Sequence, residues 1–253
     1  MDAVMEFSLS KEFLERFQQA LDEREDSFIK SSLEGVNAAD ITALLYEFDA
    51  EECKYVFDLL PVEIDAAILN DLDEDQRERF IKEFSPVELA RFIECLDSDD
   101  GADILYQMPL KRREEVIRSI DNDEKAGHIL DLLRYDEDVA GGLMAKELIK
   151  ANENWTVQQC IEEIRKQAEN VQKIYSVYVI DDNGKFLGRV SLKKIVLSDD
   201  KVKIRDLYDT DIISVETAMD EVEVATIMEK YDLEAVPVVN ARGKLVGRIT
   251  IDD

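Results

Sequence analysis

The chain has one histidine, His128, and three cysteines, Cys53, Cys95 and Cys160. A lone histidine nearly excludes histidine-based metal or acid–base chemistry. The cysteines are far apart, odd in number and form no CxxC pair. That spacing argues against zinc and redox sites and favours a reducing compartment. No run of about 18 apolar residues occurs, so no segment reads as a membrane-spanning helix. The N-terminal Met1-Asp-Ala-Val-Met-Glu has neither a basic region nor an apolar stretch, which predicts no signal peptide. Bases are scarce as well, 31 Lys and Arg against 59 Asp and Glu. Binding a phosphate backbone needs clustered bases, so nucleic acid is not an expected partner. Neither a nucleophile–base pair nor a phosphate-cradling loop argues for catalysis, and no enzyme is expected.

What the chain does have is apolar content together with acid. Hydrophobic residues make up 45% of it, enough for packed cores. The formal net charge is −28, and a folded body so charged repels itself. Mobile cations are the simplest neutralising partner. The charge is uneven. Residues 1–134 carry 35 acids and 15 bases, and residues 135–253 carry 24 acids and 16 bases. The sequence pattern changes at the same place, which predicts a domain boundary near residue 135.

The first half has a twelve-residue period, set by Asn37, Asp49, Pro61, Asp73, Ser85, Asp97, Pro109 and Asp121. An apolar residue precedes each of them. Asp73-Glu-Asp-Gln76 and Ser85-Pro-Val-Glu88 read as capping boxes, with Pro86 at the first helical position. Pro61 and Pro109 forbid a helix running straight through. Each unit is therefore a helix of about nine or ten residues and a turn. Such helices are too short to stand alone, so they are expected to stack as antiparallel neighbours in a superhelix. Lys11 to Ser32 reads as one longer amphipathic helix or two. One turn, Asp97-Ser-Asp-Asp-Gly-Ala-Asp103, sets four carboxylates on a helix start. Asp99 and Asp103 are four apart and share a face. The helix dipole accounts for acids in the first turn, but Asp103 lies beyond it.

The second half changes period. Val177–Ser191 reads as strand, turn, strand, and Val236–Thr250 repeats it 59 residues on. Gly184/Gly243, Lys185/Lys244, Gly188/Gly247 and Arg189/Arg248 match identically. Asn183-Gly184 is a hairpin-turn signal. An amphipathic helix precedes each hairpin, near Thr156–Lys166 and Met219–Tyr231. This doubled β-α-β-β pattern resembles a tandem pair of cystathionine-β-synthase (CBS) domains over roughly residues 145–253. The resemblance implies a regulatory module that dimerises and binds adenine nucleotides or metal ions. The family's ribose signature, Ser or Thr with Asp three residues on, is met by Thr250 and Asp253. Repeat one has Ser191 with Lys194 in the acid's place.

Between the halves lies Leu133-Arg-Tyr-Asp-Glu-Asp-Val-Ala-Gly-Gly-Leu-Met144, an acidic helix end followed by a glycine pair that permits close backbone approach. A helical superhelix, this joint and a CBS pair, in that order, resemble the cytosolic part of the MgtE-type magnesium transporters. Ala145 stands where the family usually has Thr. The resemblance implies a helical domain over 1–135, a joint and first CBS domain over 136–198, and a second CBS domain over 199–253. It also implies a homodimer, and a membrane part following the second CBS domain, which places the region on the cytoplasmic face of the membrane. The chain stops at Asp253, before the last helix of repeat two, and reads as a fragment of the longer transporter.

By that resemblance Mg2+ would be held by Asp99, Asp103, the Gly142 carbonyl, Asp220, Asp232 and Asp253. Magnesium takes oxygen ligands and needs only one or two direct carboxylates. Asp220 opens a helix and has a capping role open to it. Asp232 ends the same helix, where the dipole disfavours an acid. The two are expected to serve different ions. Val222 replaces an acid common in the family. If ions bind only a closed form, closure gains about 2.7 kcal/mol per site at 100-fold excess of ion. An adenine-nucleotide sensor using Thr250 and Asp253, with ATP as ligand, is the second reading.

Overall fold

The computed structural model describes residues 7–168, 171 and 173–251. It divides into two compact units, one of Met1–Leu96 with Asp103–Ala126, the other of Asp97–Ala102 with Gly127–Asp253.

The helical half follows the twelve-residue period closely. Its helices are α1 (Lys11–Asp22), α2 (Asp26–Leu33), α3 (Ala38–Leu45), α4 (Ala50–Phe57), α5 (Val62–Asp71), α6 (Glu74–Ile81), α7 (Pro86–Cys95), α8 (Ser98–Tyr106), α9 (Leu110–Arg118) and α10 (Asp123–Leu132). Asn37, Asp49, Pro61, Asp73, Ser85 and Pro109 are the N-caps of their helices, and Asp97 directly precedes α8. At the last break the helix starts a residue late, because Asn122 accepts from the Lys125 amide. Ser85 and Glu88 form the expected capping box. Asp73 caps Gln76 in one direction only, whereas Asp49 and Glu52 form a full box that the sequence reading missed. Within the first unit α3 packs on α5, α5 on α7 and α7 on α9, while α4 packs on α6. This alternate stacking buries the apolar face of each short helix. Phe57, Phe80, Phe84 and Phe92 form its aromatic centre, with ring centroids 5.0–6.3 Å apart.

Stacking leaves helix-end carbonyls to satisfy, and one repeat position does so. Cys53 Sγ donates to the Leu45 carbonyl, Arg77 Nε to that of Leu69, and Arg113 Nε to that of Leu105. Each donor lies four residues after a break and eight after its acceptor. Burial pushes the Cys53 thiol up to about 12 and the Cys160 thiol up to about 11, so neither is a nucleophile at neutral pH.

The second half folds as two like modules. After a one-turn helix, α11 (Ala140–Leu143), come β1 (Ile149–Asn152), α12 (Val157–Gln167), β2 (Val177–Ile180), β3 (Phe186–Val190) and α13 (Leu192–Val196). Then follow β4 (Val215–Glu216), α14 (Glu221–Tyr231), β5 (Ala235–Val239) and β6 (Leu245–Thr250). In each module a parallel pair is followed by an antiparallel hairpin, in the orders β1-β2-β3 and β4-β5-β6. Thr156 and Gln159 form a capping box that starts α12. Ile149, Val157, Cys160, Val177, Val179, Val190 and Ile195 make the core of the first module. Among the described residues no helix is long and apolar enough to cross a membrane.

Candidate cation and nucleotide sites

The joint is built into the second repeat. Ala140 and Gly141 donate their amides to the carbonyls of Met219 (2.8 Å) and Thr217 (2.9 Å), and Glu221 donates to Asp138 (3.0 Å). Ala145 and Arg248 exchange both backbone hydrogen bonds, at 2.8 and 3.0 Å, which lays the joint along β6. Close approach explains the glycines. A Cβ at Gly142 would lie 2.3 Å from the Asp136 carbonyl oxygen, and one at Gly247 would lie 2.7 Å from Met144 Sδ. Gly142 is buried, and its amide donates to Val139.

The acids predicted as ligands are spread out. Asp99 is buried at 7% exposure in the first turn of α8, and Asp103, one turn on, is exposed. Asp220 is the N-cap of α14, its carboxylate accepting from the Val222 amide at 2.9 Å. Asp232 is the C-cap of the same helix, in the left-handed region at φ 52°. The eleven residues between them separate the two caps by on the order of 17 Å, so they cannot share an ion. Asp253 lies outside the described residues. Among the described residues no group of three or more His, Cys, Asp or Glu side chains is close enough to hold a metal ion.

A cavity of about 550 Å³ opens beside α14 and the end of β6. Asp232, Thr250, Val224, Met228, Ile249 and Leu143 line it. Asp232, expected as a cation ligand, and Thr250, expected at a ribose, thus line the same cavity. In repeat one, Ser191 caps α13 by accepting from the Lys194 amide, and Lys194 Nζ is ion-paired with Asp209 at 2.9 Å.

A buried polar network in the second unit escaped the sequence reading. Ser98 is fully buried, and its amide and Oγ both donate to Glu147 Oε2, at 3.0 and 2.7 Å. Ser98 Oγ in turn accepts from the Lys146 amide. Arg248, 4% exposed, donates from Nε to the Glu147 carbonyl (2.8 Å) and from a terminal nitrogen to Asp97 Oδ2 (3.0 Å). Its guanidinium also lies over the Tyr175 ring, 5.1 Å from the centroid. His128 Nδ1 stands 3.9 Å from Glu147 Oε1. The network ties the start of α8 to the joint and to β6. Asp97 and Arg248 are 151 residues apart, too far for one sequence to pair them.

Fold and joint together define a class, an acidic stacked-helix domain followed by a tandem CBS pair. Residues 36–138 match the family profile described as the MgtE intracellular N domain, and residues 137–199 and 204–253 match the CBS domain profile. The magnesium transporter MgtE of Thermus thermophilus is 31% identical over 241 residues, covering 93% of this chain and 53% of that protein. MgtE of Enterococcus faecalis is 35% identical over 130 residues, covering 51% of this chain and 29% of that protein. The chain thus spans about half the length, or less, of these relatives. A structure solved as the cytosolic domain of the Mg2+ channel MgtE in complex with ATP superposes with a TM-score of 0.86 at 30% identity. The superposition covers 94% of this chain and 97% of that one. The chain belongs to the MgtE magnesium transporter family.

Proposed function

We propose that this chain is the cytosolic regulatory region of a magnesium transporter, sensing intracellular Mg2+ and gating a pore carried elsewhere in the protein. The observation that carries the proposal is the match to the MgtE cytosolic domain over nearly the whole of both chains. The acidic helical domain of residues 1–135 would answer to the ion. The CBS domains of residues 136–198 and 199–253 would pass the response on, at the cytoplasmic face of the membrane. Asp99, Asp103, the Gly142 carbonyl, Asp220, Asp232 and Asp253 are the ligands proposed, distributed over several sites. Oxygen donors suit magnesium, which keeps several waters. Without ions the like-charged carboxylates repel, and with them a closed form is favoured by mass action. Magnesium at millimolar concentration should therefore lower the radius of gyration at fixed, high ionic strength. Independence of magnesium would overturn the sensor.

A second ligand, an adenine nucleotide, is favoured by the ATP complex of the structural relative. Here it would use Thr250 and Asp253. Repeat one has Lys194 in the acid's place, already paired with Asp209. Calorimetry should lose ATP binding in Asp253→Ala and keep it in Lys194→Ala; the opposite pattern would move the site to repeat one.

The CBS pair is also proposed to form a homodimer. Val222 (66% exposed) and Tyr231 on α14, with Val196 and Leu197 (75% exposed) at the end of α13, present apolar side chains to solvent. Ile161 and Ile164, also candidates for that face, are half-buried against the first module's core. Sedimentation of residues 140–253 should show a dimer at high micromolar concentration. A folded monomer under those conditions would exclude it.

A further inference from the structure

The first turn of α8 is held by more than its own helix. Ser98 gives both its donors to Glu147, whose backbone carbonyl receives Arg248, and Arg248 also reaches Asp97. Arg248 is buried in β6, two residues before Thr250. Its repeat mate, Arg189, is exposed. The same residue type at the same repeat position therefore has a different task in the second module. A planar guanidinium with a fixed fork can serve a carbonyl and a carboxylate at once, which an ammonium cannot do with the same geometry. The network is cross-braced, since Ser98 Oγ accepts from Lys146 while Lys146 Nζ pairs with Asp131.

We propose that Arg248 and Glu147 are positioning residues of the cation response: they latch the first turn of α8, which carries Asp99, to strand β6 and the joint, and so set the magnesium concentration at which the chain responds. The proposal rests on the magnesium-sensing reading for its second half only; the latch itself is independent of any ion. Neither residue touches the ion. A pre-ordered Asp99 spares the ion the ordering of that turn, so loosening the latch weakens the apparent affinity.

Two variants probe the latch, Asp97→Asn, which keeps shape and removes the charge partner, and Arg248→Lys, which keeps charge and loses the fork. Hydrogen exchange in magnesium-free buffer reads the latch, and the midpoint of magnesium-induced compaction reads the response. Both variants should speed exchange of the 98–102 amides about tenfold, leave the β1-β2-β3 amides unchanged, and raise the magnesium midpoint several-fold. Ser98→Ala, which removes one of the two donors to Glu147, should fall between them and the parent. Unchanged exchange at 98–102 would overturn the latch. Faster exchange with an unchanged midpoint would make the network merely structural and overturn the positioning role. A parent that exchanges slowly at 98–102 but does not compact with magnesium would remove the sensing reading, and the regulatory half of the proposal with it, while leaving the latch standing.

Discussion

Asp65→Asn should stabilise the helical half, and the gain should grow with pH. Asp65 is 4% exposed on α5, and its Oδ1 has no hydrogen-bond partner. It occupies the repeat position at which Cys53, Arg77 and Arg113 each donate to a carbonyl eight residues earlier. At Asp65 the matching carbonyl is that of Phe57. A carboxylate cannot donate, but a carboxylic acid can. Burial, reinforced by the Asp58 and Glu63 charges and opposed by Lys54, raises the Asp65 pKa to about 8. The native fold therefore holds a proton that the unfolded chain releases near the ordinary value of 3.8. The contribution of that proton is intact below pH 3.8 and is lost progressively as pH rises to about 8. At about 1.4 kcal/mol per pKa unit, the acid costs on the order of 4 kcal/mol at pH 7. Asparagine donates at every pH. Urea unfolding, followed through α5 by hydrogen exchange, should show the variant and the parent nearly equal at pH 4. By pH 8 the variant should lead by several kcal/mol. A difference that does not change with pH would show that no proton is held there.

Gly142→Ala should be strongly destabilising for the joint. The added methyl meets a backbone carbonyl oxygen at 2.3 Å, which no rotamer change relieves. Overpacking of this kind costs about 1–3 kcal/mol, and here it falls on a one-turn helix with little to hold it. The loss should appear as faster exchange of the Ala140 and Gly141 amides, which bond Met219 and Thr217. Gly127→Ala is the contrast. It sits inside α10 with nothing within 4 Å, and alanine there should gain up to about 1 kcal/mol. Equal effects at the two positions would show that the close approach at Gly142 is not what holds the joint.

The helical repeat was legible because its signals are local. Caps and prolines at every twelfth residue stop a helix by chemistry that acts within one turn, so boundaries followed to within a residue or two. The CBS modules were legible because the same hairpin occurs twice, with Asn183-Gly184 marking one turn and Gly184 taking φ 80°. The site was only partly legible. Asp220 reads correctly as a cap from the residues after it. The burial of Asp99 and the Ser98–Glu147–Arg248 network depend on contacts between segments up to 151 residues apart, for which a single chain carries no local signal. Arg189 and Arg248 illustrate the limit, being identical in the repeat yet exposed in one copy and buried in the other. Each exchanges backbone hydrogen bonds with another segment, Arg189 with Asp209 and Arg248 with Ala145, but the Arg248 side chain also meets the Glu147 carbonyl and Asp97.

The most direct test of magnesium sensing is the radius of gyration against magnesium in a constant, high background of potassium chloride, for the parent and for Asp99→Asn/Asp103→Asn. Screening alone acts over about 8–10 Å and would already be saturated by the monovalent salt. Site binding predicts that millimolar magnesium compacts the parent further and that the double variant needs much more. An unchanged radius in the parent would contradict the sensor, and equal compaction of parent and variant would remove Asp99 and Asp103 from it.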